Sequence, residues 1–318
     1  MVCNMNIKEM ILKTENLSVS FGDDGAEKVL NEFSLEVYEK DKIAIIGETG
    51  SGKSIMLCAI LRLLPSNANV EGKVDYGDID LLHIDRESLN EIRGNEISYV
   101  PQGSANSMNP LLKVGYQVGE PLVIHGKCDK KSAWDKAIQL LKKFNIGNEA
   151  ERAKQYPHSF SGGMRQRSLI AMGISTGARI ILADEPTKGL DKKRITMVEE
   201  AFKVLEDKTL ICVTHDLTFA SEISTRLCIM YSSELVEEGP TEEVFSQPLH
   251  PYSADIINAM PENGFNYRGT ESLHKDKPIG GCCYADKCIF KTEKCEKRPP
   301  LVEVGPSRKV RCWKYVKS

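Results

Sequence analysis

One eight-residue segment constrains the fold more than any other part of the chain. It reads Gly47, Glu48, Thr49, Gly50, Ser51, Gly52, Lys53 and Ser54, which fits the pattern GxxxxGK[ST]. The apolar residues 42–46 before it are typical of a buried strand, and residues 55–64 after it have the apolar pattern of a helix. A glycine-rich turn between a strand and a helix presents backbone N–H groups to phosphate oxygens. We therefore predict a nucleotide phosphate site in an α/β fold.

Two side chains of this loop have predicted roles. Lys53 is expected to contact the β- and γ-phosphate oxygens, and the Ser54 hydroxyl is expected to ligate Mg²⁺. The alternative is a glycine-rich turn that binds no ligand. The flanking strand and helix favour the phosphate site, because this context is what makes the pattern specific.

A pair of carboxylates follows a second apolar strand. Residues 180–183 read Ile-Ile-Leu-Ala and lead directly into Asp184 and Glu185. Ligands of open α/β sheets bind at the carboxyl ends of the strands. Asp184 is then expected to hold Mg²⁺, directly or through water, and Glu185 to act as general base for an attacking water. The pair by itself also fits a helix cap, so the residues leave both interpretations open.

A second glycine-rich stretch opens a later helix. Residues 160–167 read Phe-Ser-Gly-Gly-Met-Arg-Gln-Arg, so Ser161, Gly162 and Gly163 are candidates to bind a further phosphate. The alternative is an ordinary capped helix start. The chain has no second lysine-bearing phosphate loop, so this stretch cannot form an independent nucleotide pocket of the usual kind.

The length, the net charge and the apolar runs of the chain limit the classes of protein to which it can belong. The 318 residues suffice for one large α/β domain and a smaller appendage, and the net charge of -3 does not favour a nucleic-acid partner. No apolar run approaches the ~20 residues of a membrane-spanning helix. The N-terminus, residues 1–10, lacks the pattern of a signal peptide, so we expect the chain to stay in the cytosol.

Strands and helices alternate along the chain. We predict a hairpin from residues 11–21 and 29–37 around a turn at 22–25, and a polar linker over 263–281. Further strands are predicted at 72–82, 97–101, 179–183 and 209–214, a β pair within 226–237, and helices at 132–144 and 195–205. This alternation is typical of a largely parallel sheet.

Half of the ten cysteines lie in the last forty residues. Cys282, Cys288, Cys295 and Cys312 are separated by five, six and sixteen residues, and Cys283 beside the first is interpreted as a bystander. Four thiolates suit zinc or a [4Fe–4S] cluster, although the spacing lacks the paired CxxC of common zinc modules. Cysteines without any ligand are the alternative.

The order of these motifs resembles that of the ABC ATPase family. Residues 160–164 stand where the family has its LSGGQ signature, and the resemblance covers about residues 10–245. It implies an ATPase domain over residues 1–245 with a P-loop NTPase fold, which has a RecA-like core, an antiparallel β subdomain and a helical subdomain at about 103–168. Residues 246–318 are then a small Cys-rich C-terminal extension.

The same resemblance implies further site residues. Phe21 stands where an aromatic ring stacks on adenine, and Gln102 where the Q-loop glutamine contacts the nucleotide and Mg²⁺. Residues 187–191 correspond to the D-loop, which ends at Asp191, and His215 to the switch histidine that contacts the γ-phosphate. Individually, Phe21 fits a core residue, Gln102 a solvated polar residue and His215 a helix cap.

The family resemblance also implies a reaction and partners. ATP with Mg²⁺ is expected to lie between the phosphate loop of one subunit and the signature of another, with Lys53, Glu185 and His215 as the catalytic groups. The expected partners are two transmembrane permease subunits, an extracytoplasmic solute-binding protein and a second ABC ATPase. The resemblance favours a sister ATPase in a heterodimer, with a second copy of this chain in a homodimer as the alternative. The expected location is the cytoplasmic face of the inner membrane.

The C-terminal part resembles the extension of oligopeptide, dipeptide and nickel importers. The resemblance rests on Leu-His-Pro-Tyr at residues 249–252, on Pro-Pro-Leu at 299–301 and on the spaced cysteines. It implies import of a peptide-like or nickel-type solute. Departures from the family are Met164 in the signature, Lys188-Gly189 in the D-loop and Cys283-Tyr284 in the tail.

Two other hypotheses remain: a soluble ABC ATPase of translation or DNA repair, and a transporter ATPase gated by the redox state of a tail cluster.

Overall fold

The computed structural model describes residues 9–22, 27–103, 107–260 and 280–317. The predictions for residues 1–8, for most of the 22–25 turn and for the linker up to residue 279 fall outside them. Two compact units make up the chain. The first unit comprises residues 1–38, 43–82 and 215–318, and the second comprises residues 39–42 and 83–214.

The helices and strands follow the predicted alternation. The strands in chain order are β1 (Met10–Phe21), β2 (Glu27–Tyr38), β3 (Lys42–Gly47), β4 (Ala68–Tyr76), β5 (Ile79–Asp80), β6 (Ile97–Val100), β7 (Ile180–Asp184), β8 (Thr209–Thr214), β9 (Arg226–Tyr231), β10 (Glu234–Pro240), β11 (Val302–Glu303) and β12 (Lys309–Val310). The helices are α1 (Lys53–Ile60), α2 (Arg86–Ile92), α3 (Val114–Ile124), α4 (Lys130–Lys143), α5 (Glu149–Ala153), α6 (Gly162–Gly173), α7 (Lys192–Lys203), α8 (Leu217–Ile223), α9 (Thr241–Ser246) and α10 (Pro251–Asn258).

The first unit contains a four-stranded antiparallel sheet in the order β2-β1-β4-β5. The pairing of β1 with β2 confirms the predicted hairpin. The single strand predicted at 72–82 is wrong, because the chain turns at Gly77 and returns as β5. Gly77 has a φ of +56°, a conformation in which glycine is not strained. The chain therefore turns at Gly77, although the apolar and polar alternation of a strand continues past it.

A mixed sheet also runs through the first unit, in the order β11-β12-β10-β9-β3. The pairing of β3 with β9 is parallel, and β10 pairs antiparallel with β9 and with β12. Ile43, Ala44, Ile45 and Ile46 of β3 are all buried, as expected for a strand covered on both faces. This burial holds β3 firmly at the point where the phosphate loop begins.

The second unit contains three parallel strands in the order β8-β7-β6, packed with helices. The helix predicted at 132–144 is α4, which begins after Asp129, whose side chain accepts a hydrogen bond from the N–H of Ser132 at 2.7 Å. Ala133, Ala137 and Leu141 form its buried face. The predicted helix at 195–205 begins earlier, at Lys192 in α7, because Asp191 caps it.

The described part of the C-terminal extension belongs to the first unit. Its strand β12 extends the mixed sheet by pairing Val310 with Glu237 of β10. Cys282, Tyr284 and Cys295 lie in one apolar cluster with Ala44 and Ile46 of β3. The extension therefore shares a core with the strand that leads into the phosphate loop.

Buried ion pairs join the extension to β10. Three carboxylates of that strand are almost fully buried, Glu234, Glu237 and Glu238. The cations that face them are Arg298 and Arg311 on Glu234, Arg308 on Glu237, and Arg226 and Lys309 on Glu238. Four of these five cations belong to the extension, so it neutralises charges that β10 buries.

No helix of the described residues is both long and apolar enough to cross a bilayer.

Candidate functional site

Three glycines shape the phosphate loop. Gly50 and Gly52 have φ angles of +84° and +91°, in the left-handed region that L side chains rarely adopt. A Cβ on Gly47 would lie 2.3 Å from the carbonyl oxygen of Met230, its neighbour on β9. The loop therefore needs glycine at these positions for backbone conformation and for close approach of a strand.

Lys53 lies within the loop and is almost fully buried. Its Nζ donates hydrogen bonds to the carbonyl oxygens of Gly47 and Glu48, both at 2.8 Å, and lies 3.4 Å from Ser51 Oγ. Gly52 caps α1 and has no side chain, so the cap residue itself places no hydrogen-bond acceptor on the amides at the start of this helix. A lysine beside helix-terminal amides is the arrangement that binds phosphate.

The loop tip, Glu48, Thr49 and Gly50, is exposed, whereas Ser51 is buried and Ser54 is half-buried. The structure thus places the predicted loop residues around one backbone turn with its tip toward solvent.

Replacing Gly47 by alanine is expected to weaken ATP binding more than tenfold. The added methyl group cannot fit beside the Met230 carbonyl, so β3 must move away from β9 and carry the loop with it. Gly147→Ala is the matched control, because nothing lies within 4 Å of its Cβ position. Fluorescent ATP titration of the purified chain measures both; equal affinities for the two variants would contradict the prediction.

The acidic pair lies at the carboxyl end of β7. Asp184 is 2% exposed and accepts a hydrogen bond from the Tyr99 hydroxyl at 3.1 Å. Glu185 has a φ of +46°, and its backbone N–H donates to the carbonyl of Val213 at 2.9 Å. Positive φ is uncommon for a residue with a side chain, and it occurs both at turns and at functional sites.

Tyr99 is a site residue that no sequence motif indicates. Its place on β6, which pairs with β7 in parallel, is the only signal that could have indicated it. The two carboxylates also act on a buried neighbour, since burial together with Glu185 and Asp184 raises the pKa of Cys212 well above its usual range.

The signature residues begin α6. Ser161 caps this helix, its Oγ accepting a hydrogen bond from the N–H of Met164 at 3.3 Å, so the capped-start interpretation is correct as local geometry. A Cβ on Gly163 would lie 3.2 Å from the side chain of Arg194. Arg194 is paired with Asp191 at 3.2 Å. The signature loop and the end of the D-loop therefore lie side by side.

The remaining predicted residues lie at element ends. Phe21 is half-buried at the end of β1, Gln102 is exposed two residues after β6, and His215 is exposed directly after β8. The first unit carries Phe21, the phosphate loop and His215, and the second carries Gln102, Ser161, Gly162, Gly163, Asp184, Glu185 and Asp191.

The four spaced cysteines line one cavity of about 610 Å³ in the first unit. Cys282 and Cys295 are buried, whereas Cys288 and Cys312 are half-buried. His250 also lines this cavity, and its Nδ1 accepts a hydrogen bond from the N–H of Tyr252. No local sequence pattern places His250 at this cavity, although it belongs to the Leu-His-Pro-Tyr motif.

The thiols of this cavity differ in their acidity. Hydrogen bonds from Cys283 and His250 lower the pKa of Cys282 to about 4. Burial raises the pKa of Cys288 and of Cys312. Within the described residues, no group of three or more His, Cys, Asp or Glu side chains could hold a metal ion. The described residues therefore do not confirm the predicted zinc or [4Fe–4S] site.

Comparisons with known proteins agree with this architecture. A family model described as ABC transporter matches residues 30–188, and one described as oligopeptide/dipeptide transporter, C-terminal region, matches residues 236–295. The chain is 35% identical to the dipeptide transport ATP-binding protein DppD of Bacillus subtilis (strain 168), covering 96% of this chain and 95% of that protein. It is 34% identical to a putative peptide import ATP-binding protein of Brucella abortus (strain 2308), covering 97% and 98%.

A solved structure extends the similarity to three dimensions. The ATP-binding cassette MJ0796, determined as a dimer in a post-hydrolysis state bound to ADP and Pi, superposes with a TM-score of 0.64 at 30% identity. The match covers 73% of this chain and 99% of that one. The chain belongs to the ABC transporter family and is an ATPase of the group that carries the oligopeptide/dipeptide transporter C-terminal region.

Proposed function

We propose that this ATPase energises the import of peptides through an ABC transporter. The observation that carries the proposal is the C-terminal region, residues 236–295, which matches the oligopeptide/dipeptide transporter model and shares a buried core with β3. The relatives that align over nearly the whole chain are named for peptide or dipeptide import. Nickel-type solutes, which the sequence resemblance also allows, have no such support.

Solute uptake by cells that carry or lack this chain tests the proposal. We expect a radiolabelled di- or oligopeptide to accumulate only in cells with the intact chain, and ⁶³Ni²⁺ uptake to be equal in both. Nickel uptake that depends on the chain would reassign the solute. ATP hydrolysis stimulated by ribosomes or DNA ends, without dependence on permeases, would replace the transporter by a soluble ABC ATPase.

In the proposed mechanism, water attacks the γ-phosphate in line with the leaving ADP oxygen. Lys53 and His215 stabilise the charge that develops on the phosphate oxygens, and Glu185 orients the water and takes up its proton. Phe21 stacks on the adenine ring, and Gln102 and Asp191 complete the set of residues around the nucleotide. Each role follows from the position of the residue in the motif order of the family.

Magnesium fits the oxygen donors assigned to it. Mg²⁺ prefers hydroxyl, carboxylate and amide oxygens, which Ser54, Asp184 and Gln102 supply. Asp184 is held in place by the Tyr99 hydroxyl at 3.1 Å. When bound with ATP, the ion would neutralise charge on the β- and γ-phosphates.

We propose that each ATP site is shared between two subunits. The chain has one phosphate loop and one signature loop, and the signature residues Ser161 and Gly162 are not buried. The solved relative MJ0796 is a dimer. The proposed partner is a sister ABC ATPase, with two permease subunits and an extracytoplasmic solute-binding protein, at the cytoplasmic face of the inner membrane.

Replacing Ser161 by arginine is expected to leave ATP binding by this chain's own loop within twofold but to lower ATP hydrolysis in the assembled complex at least tenfold. A long cation at the start of α6 removes the hydroxyl and blocks the approach of the partner's phosphate loop. Ser132→Arg, on the exposed surface of α4, is the control. Equal loss of binding and hydrolysis would argue for a site within one chain.

The predicted zinc or [4Fe–4S] group has one observation in its favour and one against it. Cys282, Cys288, Cys295 and Cys312 share one cavity, yet no metal-holding group is formed by the described residues. Iron, zinc and acid-labile sulfide analysis of the purified full chain decides the matter. Iron and sulfide lost together in Cys295→Ala would support a cluster; their absence from the intact chain would leave the thiols without a metal.

A further inference from the structure

The cysteine cavity and the phosphate loop lie at two ends of one chain of packed residues. Tyr284, which lines the cavity two residues after Cys282, contacts the ring of Tyr231 edge-on, with 5.1 Å between the ring centroids. Tyr252 lies 4.5 Å from the same Tyr231 ring and 5.5 Å from Tyr284. We call Tyr231, Tyr252 and Tyr284 the tyrosine cluster. It joins the extension to the last residue of β9.

The end of β9 in turn contacts the phosphate loop. Met230, directly before Tyr231, pairs with Gly47 in the parallel ladder of β3 and β9. The approach is so close that a Cβ on Gly47 would lie 2.3 Å from the Met230 carbonyl oxygen. A contact without free space transmits displacement, because close-packed interiors do not absorb it.

The other side of Tyr284 is anchored as well. Its hydroxyl donates a short hydrogen bond to the carboxylate of Asp255 on α10, and its ring lies 5.9 Å from the ring of His250. Tyr284 is therefore held between Asp255 and His250 on one side and Tyr231 on the other. A group bound to the thiols and packed against Tyr284 would push this ring toward Tyr231.

We infer that the cysteine cavity is a regulatory site, whose occupancy changes nucleotide binding at the phosphate loop through Tyr284, Tyr231 and Met230. The input is the state of the four thiols, free or bound to a thiophilic group, and the output is the position of Gly47. The inference rests on the proposed nucleotide-binding role of the 47–54 loop. It does not depend on which solute is imported or on the identity of any bound metal.

A four-variant cycle on the purified full chain tests this coupling. Cys288→Phe fills part of the cavity irrespective of what occupies the thiols, and Tyr284→Leu removes the ring that contacts Tyr231. Cys288→Phe is expected to raise the Kd for fluorescent MgATP about fivefold or more, the lower end of usual coupling between sites. In the Tyr284→Leu background the same substitution should change the Kd less than twofold.

Matched variants separate coupling from general damage. Cys128→Phe, at a half-buried cysteine of the second unit, and Tyr315→Leu, in the extension but outside the tyrosine cluster, should leave the Kd within twofold and the Cys288→Phe effect intact. Tyr284→Phe keeps the ring and should keep the coupling. If Cys288→Phe does not fold, Cys288→Met places a smaller side chain in the cavity. If Tyr284→Leu does not fold, Tyr231→Leu removes the other ring of the same contact.

An unchanged Kd in a folded cavity variant would overturn the inference, and so would an equal change in both backgrounds. If the unsubstituted chain did not bind fluorescent MgATP at all, the result would instead refute the nucleotide site itself. Failure of peptide uptake in cells would refute only the proposed solute, because the permeases take no part in this measurement.

Discussion

The Glu185→Gln variant is expected to hydrolyse ATP about 10²- to 10⁴-fold more slowly than the unsubstituted chain, the range by which a positioned general base accelerates a reaction. Glutamine keeps the shape of the side chain but cannot take the proton of the attacking water. ATP binding should remain within threefold, because the phosphate loop and Lys53 are untouched. Phosphate release and fluorescent ATP titration measure the two quantities.

Dimer formation in MgATP is a second measurement that tests this prediction. With hydrolysis stopped, ATP is expected to hold two ATPase subunits together, so Glu185→Gln mixed with its sister ATPase should elute as a dimer in MgATP and as monomers without it. Glu206→Gln, at an exposed glutamate of the second unit, should behave like the unsubstituted chain. Undiminished hydrolysis by Glu185→Gln would assign the base to another residue.

The Arg308→Met variant is expected to lower the free energy of unfolding by about 3–5 kcal/mol, as usual when one partner of a buried ion pair is removed. Arg308 donates to Glu237 at 2.6 Å, and Glu237 is 0% exposed. The same carboxylate accepts hydrogen bonds from the N–H groups of Leu249 and His250. Methionine fills similar space but leaves this carboxylate buried without its cation.

Urea unfolding followed by fluorescence measures the loss. Lys291→Met, which breaks the exposed pair with Asp286, should change stability by no more than about 1 kcal/mol. The double variant Arg308→Met, Glu237→Leu should recover part of the loss, since the unpaired charge is gone. If Arg308→Met proved as harmless as Lys291→Met, the extension would not be a structural part of the first unit.

Local patterns predicted the phosphate loop and the acidic pair because both depend on residues close in the chain. The loop needs a strand before it, a helix after it and glycines where φ is positive. The residue types between 42 and 64 indicate the strand, the helix and the glycines. The pair Asp184 and Glu185 follows directly from the buried strand β7. The turn at Gly77 was missed because strand periodicity continues across it.

Contacts between distant residues were beyond those patterns. Arg308 and Glu237 are 71 residues apart. Tyr99 and Asp184 are separated by 85 residues. Neither hydrogen bond leaves a periodic signal, because the partners are brought together only when strands pair and the core closes. The direction of the Glu185 side chain, set by its positive φ, is equally invisible in the order of residues.

For this protein, the sequence by itself determined the chemistry: a lysine-bearing phosphate loop from Gly47 to Ser54, two carboxylates after a strand and one signature loop, in the order of an ABC ATPase. Only the tertiary structure decided that the C-terminal cysteines surround a cavity in the same core as β3. The reason is physical. Local backbone rules place a loop, whereas the packing of Tyr284 against Tyr231, and of Met230 against Gly47, exists only in the folded chain.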